Sequence, residues 1–500
     1  MLQSHRGSRV HPFAIALFTV LGAAYLLLVG LAIAILPPAF ALIFGVLPLP
    51  FLLTNRIFDF PAPERLLRSS FALSIVLFLL WPRYLSFNFG GPDLVPARLL
   101  YGLLLVTWFG ALASPSFRKA TLKTFSDRRG WLALLAAYFL IRLASVVGSE
   151  AFGLSAYQVA NELLTAGLIV PIFYSVFNTN ANIQKLLWSI VLAGAIIGVL
   201  TVVERALGRT LFANVRLPGM TVDSEWLYAA IMEKSRGGSY RAQGTFSHPL
   251  LLAEFSAFAL PICLYFCAVA KGVRRILSAL AVLLVIIAGA LSGSRAAFAA
   301  LPIGLVMCAT ILMCRQWLVN RQLGVASVIL SLSFVVGIFG IALLWLTGTI
   351  DSSLVSGRTY AEASSTNTRL DMLARGIPKI LEHPFLGYGP GLSAYIAGVK
   401  NSIALTIDSY YLSLAIDSGL LGLGVFALLF IGALLFGLKR AISSSDDFDL
   451  MRGMVAVSLL GMLLVKAILS TPHNAPLMLL GLALITAVPK NSVPVRGDNQ

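Results

Sequence analysis

Apolar runs about 20 residues long, separated by short polar breaks, fill the chain nearly from end to end. A helix needs about 20 residues to cross the roughly 30 Å core of a bilayer. Fourteen stretches meet or approach that length: 13–36, 37–54, 69–82, 98–114, 131–148, 157–177, 184–204, 248–270, 275–291, 295–314, 323–346, 408–438, 453–469 and 472–489, the third of them short. The pattern predicts an all-α polytopic membrane protein with about 12–14 transmembrane helices, a membrane domain over 13–489 and short tails at 1–12 and 490–500. Two polar intervals interrupt the spans, at about 205–247 and 347–407. Loops of that length carry function or remain disordered. The proline and glycine turns of "IPKILEHPFLGYGPGLSAYIAG" favour order in the second.

Composition narrows this further. The chain is 58% hydrophobic and only 12% charged, against about 25% charged in soluble proteins, which excludes a string of soluble domains. A formal charge of +16 raises the question of a nucleic-acid partner, and its distribution answers it. With the N-terminus inside, short inner segments carry 21 Lys and Arg, among them Arg118, Lys119, Lys123, Arg128 and Arg129 in one loop, whereas short outer segments carry 3, Arg83, Arg98 and Arg295. This asymmetry is the positive-inside rule. The partner of the basic residues is the bilayer, no nucleic acid is implied, and both termini are expected on the cytoplasmic side. The first apolar run, at about 24 residues, exceeds a signal-peptide core of about 7–15 and reads as an uncleaved span. Cys263, Cys267, Cys308 and Cys314 fall in the inner halves of spans or at the inner surface, so no disulfide framework is expected.

Candidate chemistry gathers in four places on the outer face. "YRAQGTFSHPLLLAEF" offers Arg241, His248 and Glu254. "ALSGSRAAFAALPIGL" holds Arg295 at the outer end of a span, where a charge is costly unless it has a partner or snorkels to the headgroups. "TNTRLDMLARGIPKILEHP" contributes Arg369 and Arg375, read as lying near one helix face. "IDSYYLSLAIDSGLLGLG" places Asp408 where a span begins and Asp417 two to three turns deeper. Bland roles compete with each: loop charge for the arginines, a helix cap for His248 beside Pro249, and partners on other helices for Glu254 and Asp417. Lys466 reads as reaching the surface, Arg142 as pairing inside the bundle, Asp447-Phe448-Asp449 as solvated loop, and Gly387-Tyr388-Gly389-Pro390-Gly391 as a turn rather than a phosphate cradle. Three arginines and a carboxylate on one face fit phosphate, because a guanidinium fork binds phosphate oxygens bidentately.

Those segments, "RAQGTFSHPLLLAE", "LSGSRAAFAALPIGL", "TRLDMLARGIPKILEHPFLGYGPG" and "DSYYLSLAIDSGLLGLG", resemble in order and spacing the O-antigen ligase/polymerase superfamily, the lipid A-core:O-antigen ligases and Wzy-type polymerases, over about 240–435. The resemblance implies a GT-C-like inner-membrane glycosyltransferase whose long loops are periplasmic. Such an enzyme moves a glycan from undecaprenyl diphosphate to an acceptor, with no cofactor or metal. Its partners would be that lipid-linked donor, a glycan acceptor and other polysaccharide-export proteins. It also implies that Arg241, Arg295 and Arg369 contact the diphosphate, with Arg375 and Glu254 as further substrate-binding candidates. Ligases of the family carry a His-Asn pair where this chain has Asp408-Ser409. That departure favours repeat-unit polymerisation over ligation to lipid or protein, with Asp408, or next His248, as the base. A polysaccharide flippase or transporter is the non-enzyme alternative.

Overall fold

The computed structural model describes residues 61–87, 95–215, 232, 234–236, 239–320, 360–400 and 405–488. The expected spans 13–36, 37–54 and 323–346 and both tails lie outside the described residues. Every other expected span coincides with a helix.

The helices in chain order are α1 (Glu64–Leu80), α2 (Pro96–Leu112), α3 (Pro115–Ser126), α4 (Arg129–Val147), α5 (Phe152–Val176), α6 (Asn180–Leu207), α7 (Pro249–Val269), α8 (Val273–Leu291), α9 (Arg295–Asn320), α10 (Tyr360–Glu382), α11 (Ser393–Ala397), α12 (Tyr410–Ser443), α13 (Asp447–Lys466) and α14 (Ala475–Thr486). Two short antiparallel ribbons complete the described residues: β1 (Ser235–Arg236) with β2 (Ser239–Tyr240), and β3 (Val399–Lys400) with β4 (Leu405–Thr406). Among the described residues, eight helices are long and apolar enough to cross a membrane, or nine if α2 and α3, bent by 103°, count as one span. The protein is an all-α polytopic membrane protein.

Burial sorts the helices. α7 and α13 bury most of their length and form the centre, whereas α4 and α8 leave most of theirs to the surroundings. With no difference in hydrophobicity to drive helix against helix in lipid, close approach through small residues supplies the contact. A Cβ on Gly198 of α6 would stand 2.6 Å from Leu284 Cβ of α8, and one on Gly461 of α13 would stand 3.0 Å from Ala257 Cβ of α7.

Several buried charges among the described residues are paired, which offsets the cost of removing them from water. Arg142 Nη2 of α4 meets Glu162 Oε2 of α5 at 2.8 Å, and Tyr138 Oη donates to Glu162 Oε1 at 2.9 Å. Lys466 does not reach the surface. It is fully buried, with Nζ 3.2 Å from Glu254 Oε1, and it donates to Thr471 O at 2.5 Å. The Asp447–Asp449 triplet is likewise not a solvated loop: it forms the first turn of α13, where buried Asp449 pairs with Arg452 and Asp446 caps the helix through Phe448 N–H. The four cysteines are free thiols, Cys263 and Cys308 buried.

Contacts at helix ends fix direction. Thr245, just before α7, bonds Leu79 at the end of α1; Lys466 at the end of α13 meets Glu254 near the start of α7; Arg315 near the end of α9 meets Asp447 at the start of α13. The start of α7, the end of α8, the start of α9 and the start of α12 therefore share one end of the bundle.

Candidate active site

The site begins with Glu204, one turn before α6 ends. This buried carboxylate accepts from Tyr240 Oη at 2.6 Å, from Gly244 N–H at 2.5 Å and from Gln243 N–H at 3.2 Å. Arg205 Nη1 donates to Tyr240 O at 2.6 Å. Together they fasten residues 240–244, the "YRAQG" turn, onto α6. Its other side docks on the α8–α9 turn: Ala242 N–H donates to Leu291 O at 3.0 Å and Arg241 Nε to Ser292 O at 2.9 Å. Gly293 is needed at this contact. Its φ of +58° suits glycine, and a Cβ there would stand 3.1 Å from Arg241 Cγ. Arg295 opens α9 two residues later and is partly exposed. The first two motifs, more than 50 residues apart in sequence, thus form one packed unit.

Lys234 joins that unit, donating from Nζ to Gln243 Oε1 at 2.8 Å and to Ser247 O at 3.4 Å. Its pKa falls to about 8; burial is the main cause, Glu204 opposes the fall and Arg241 adds to it. His248 caps α7: its Nδ1 accepts from Leu250 N–H at 3.1 Å. Burial first, then the charges of Lys234 and Arg241, push its pKa down to about 3. A neutral imidazole whose Nδ1 accepts carries its hydrogen on Nε2, so here His248 offers a donor to its surroundings.

The other two motifs meet at the start of α12. Arg369 Nε of α10 lies 3.5 Å from Asp408 Oδ2, with side chains 33% and 39% exposed. Asp408 N–H points at Met372 Sδ, 3.3 Å away, and buried Met372 anchors α10. Ser409 is the N-cap of α12, its Oγ accepting from Leu412 N–H at 3.5 Å. Arg375 does not share the face of Arg369. Six residues turn about 120° the short way around an α-helix, and Arg375 stands exposed while Arg369 is half-buried against Asp408. Glu254 stays away from these groups, buried against Lys466 with Asn474 Nδ2 donating to it at 2.9 Å.

Asp417 has a framework role. Its carboxylate accepts from Ser393 N–H at 2.8 Å and Gly391 N–H at 3.0 Å. Tyr388 N–H and Gly389 N–H bond Ile416 O and Asp417 O at 2.9 and 3.0 Å. These bonds dock the "GYGPG" turn on a break in α12, where Gly419 has φ +67° and a Cβ would stand 2.2 Å from Phe385 O. The partners of Asp417 are one amide of the Gly391 turn and one at the first residue of helix α11.

Glu204 and Lys234 were not singled out by sequence. Each is one charge among several beside or within a long loop, with no motif spacing to mark it; only the folded turn shows what they hold. Among the described residues, no group of three His, Cys, Asp or Glu side chains converges as a metal site.

Residues 257–427 match the family model described as O-antigen ligase. The match covers Arg295, Arg369, Arg375, Asp408 and Asp417, and begins after Arg241, His248 and Glu254. No curated protein matches the chain. That match, over about a third of the chain on a helical membrane scaffold, supports the O-antigen ligase/polymerase superfamily.

Proposed function

We propose that the protein is an inner-membrane glycosyltransferase that polymerises undecaprenyl-diphosphate-linked oligosaccharide repeat units on the periplasmic side. The observation that carries this reading is the Arg241–Ser292 contact. It packs the Arg241 turn against the turn that leads into Arg295, at the end of the bundle where Arg369 and Asp408 meet. Guanidinium groups from separate motifs gathered at one end suit a diphosphate, whose oxygens take bidentate donors.

In this mechanism the donor's diphosphate docks on Arg241, Arg295 and Arg369, with Lys234 adding positive charge. As the anomeric carbon–oxygen bond breaks, its electron pair stays on the departing diphosphate, where these cations stabilise it. The acceptor hydroxyl oxygen forms the new bond from the opposite face, inverting the anomeric centre, and its proton passes to Asp408. Asp408 is held by Arg369. A diphosphate arriving on Arg369 competes for that guanidinium and frees the carboxylate for the acceptor. Donor binding therefore arms the base.

Asp408-Ser409 in place of the family's His-Asn pair favours polymerase over ligase. A flippase is disfavoured because, among the described residues, the charges Arg142–Glu162 and Glu254–Lys466 inside the bundle are closed pairs. The test incubates purified protein with one lipid-linked repeat unit and no other acceptor. A ladder of lengthening chains is expected. Transfer only after a separate lipid or protein acceptor is added assigns the chain to the ligases, and movement of the lipid-linked unit between leaflets without transfer assigns it to the flippases.

A further inference from the structure

A cavity of about 660 Å³ lies between α1, α2, α5 and the start of α14. That volume is typical of a small-ligand site. A cleft for lipid chains would be apolar, yet one wall of this one, on α5, carries Gln158, Asn161, Glu162 and Thr165. A π-helical turn at Leu163–Gly167 sits in that wall, and such turns recur at functional sites because they re-aim side chains. Trp81, Tyr101 and Tyr157 supply aromatic surface.

Two polar atoms of the lining are unused. The Tyr101 hydroxyl and His473 Nδ1 are buried without a hydrogen-bond partner. Buried polar groups are paired almost without exception, by protein, water or ligand. Arg83 also lines the cavity and is held in place, its guanidinium 4.1 Å over the Phe78 ring and its Nη2 donating to His473 O at 2.8 Å. Flat apolar faces beside amide, hydroxyl and guanidinium groups complement a sugar, whose ring presents C–H faces and a rim of hydroxyls.

One contact links the α1 wall of the cavity to the turn that carries Arg241. Thr245, in the turn between Arg241 and His248, donates to Leu79 O at 2.6 Å, at the end of the helix that supplies Trp81's wall. His473 also lies within electrostatic range of His248.

We propose that this cavity is the acceptor pocket, seating the sugar unit whose hydroxyl attacks the donor. The proposal rests on the glycan-transfer reading and assigns a second, separate site to it. Gln158, Asn161, Tyr101 and His473 would bind sugar hydroxyls, and Trp81 and Tyr157 a ring face.

The test uses the full-length protein in lipid nanodiscs and two probes. One is oligosaccharide released from the producing cell's own surface polysaccharide, and the other is farnesyl diphosphate, which carries the donor's diphosphate without sugar. Asn161→Leu and Gln158→Leu are each expected to weaken oligosaccharide binding about tenfold and to leave farnesyl diphosphate binding unchanged. Arg295→Lys is expected to do the reverse. Wild-type protein that binds no oligosaccharide, or leucine variants that bind it as wild type does, overturn the pocket while the Arg295 arm still reports on the donor site. Farnesyl diphosphate binding indifferent to Arg295→Lys overturns the donor reading and leaves the pocket standing. Should a leucine variant lose both probes through misfolding, Tyr101→Phe carries the test, because its hydroxyl forms no hydrogen bond among the described residues. It must weaken the oligosaccharide alone, and an unchanged affinity overturns the proposal.

Discussion

At the scale of single residues, the structure separates candidates that look alike in sequence. Asp408 and Asp417 lie nine positions apart in one motif. Asp408 is partly exposed beside Arg369, whereas Asp417 is buried and spends both oxygens on the amides of Gly391 and Ser393. Asp408→Asn is therefore expected to lower kcat sharply with little change in donor affinity, since asparagine keeps the shape but cannot take a proton. Single-turnover transfer measured beside prenyl diphosphate binding checks this; unchanged turnover in a folded variant removes Asp408 from the chemistry. Lys234 gives a pH dependence of known sign. With its pKa lowered to about 8, it is charged below that pH and neutral above it. Pyrophosphate affinity should fall as pH rises through about 8, and Lys234→Arg should hold the affinity to higher pH, as titrations between pH 6.5 and 9.5 would show. His248 adds no step between pH 5 and 8, because it stays neutral throughout that range.

At the scale of elements, hydropathy located the helices well and their internal breaks poorly. A window average sees that 408–438 is apolar; it does not see that Gly419 interrupts α12 so that the "GYGPG" turn can dock on it. It also placed Lys466 at a surface, although α7 and α14 close around that side chain. Glu254, Lys466 and Asn474 together lock α7 to α13 and to the approach to α14. Breaking a buried pair from one side leaves the other charge uncompensated, at a cost of about 3–5 kcal/mol. Lys466→Met should accordingly lower the stability of the purified protein substantially, and adding Glu254→Gln should recover part of the loss. Unfolding in detergent measures both. A Lys466→Met variant as stable as wild type would show the pair contributes little.

At the scale of the whole molecule, helix direction brings every candidate group of the donor site to one end of the bundle, while Arg118, Lys119 and Lys123 fall on α3, at the other. In the proposed orientation, which follows the charge bias, the α3 end faces the cytoplasm. Arg375 and Lys119 are both exposed, so they report on opposite ends. In a background with the native cysteines replaced, a membrane-impermeant thiol reagent added to intact spheroplasts should label Arg375→Cys and spare Lys119→Cys until the membrane is permeabilised. The opposite pattern would invert the orientation and place the chemistry on the cytoplasmic side.

What the sequence determined by itself follows from local physics. Long apolar runs can satisfy their backbone in a bilayer only as helices, so the class of fold and most span positions could be read directly. The order of the four motifs was equally legible, because it is a property of the chain. The tertiary structure decided which residues meet. Arg241 reaches Ser292 because Glu204 holds the 240–244 turn against α6, and Arg369 faces Asp408 because Met372 and Gly376 seat α10 on α12. Contacts of this kind depend on helix packing and loop closure across tens of residues, for which hydrophobic pattern carries no information. For the same reason the cavity beside α5 is invisible in sequence: its polar wall combines a π-helical turn with Tyr101 and His473, which come together only when α2, α5 and the start of α14 pack.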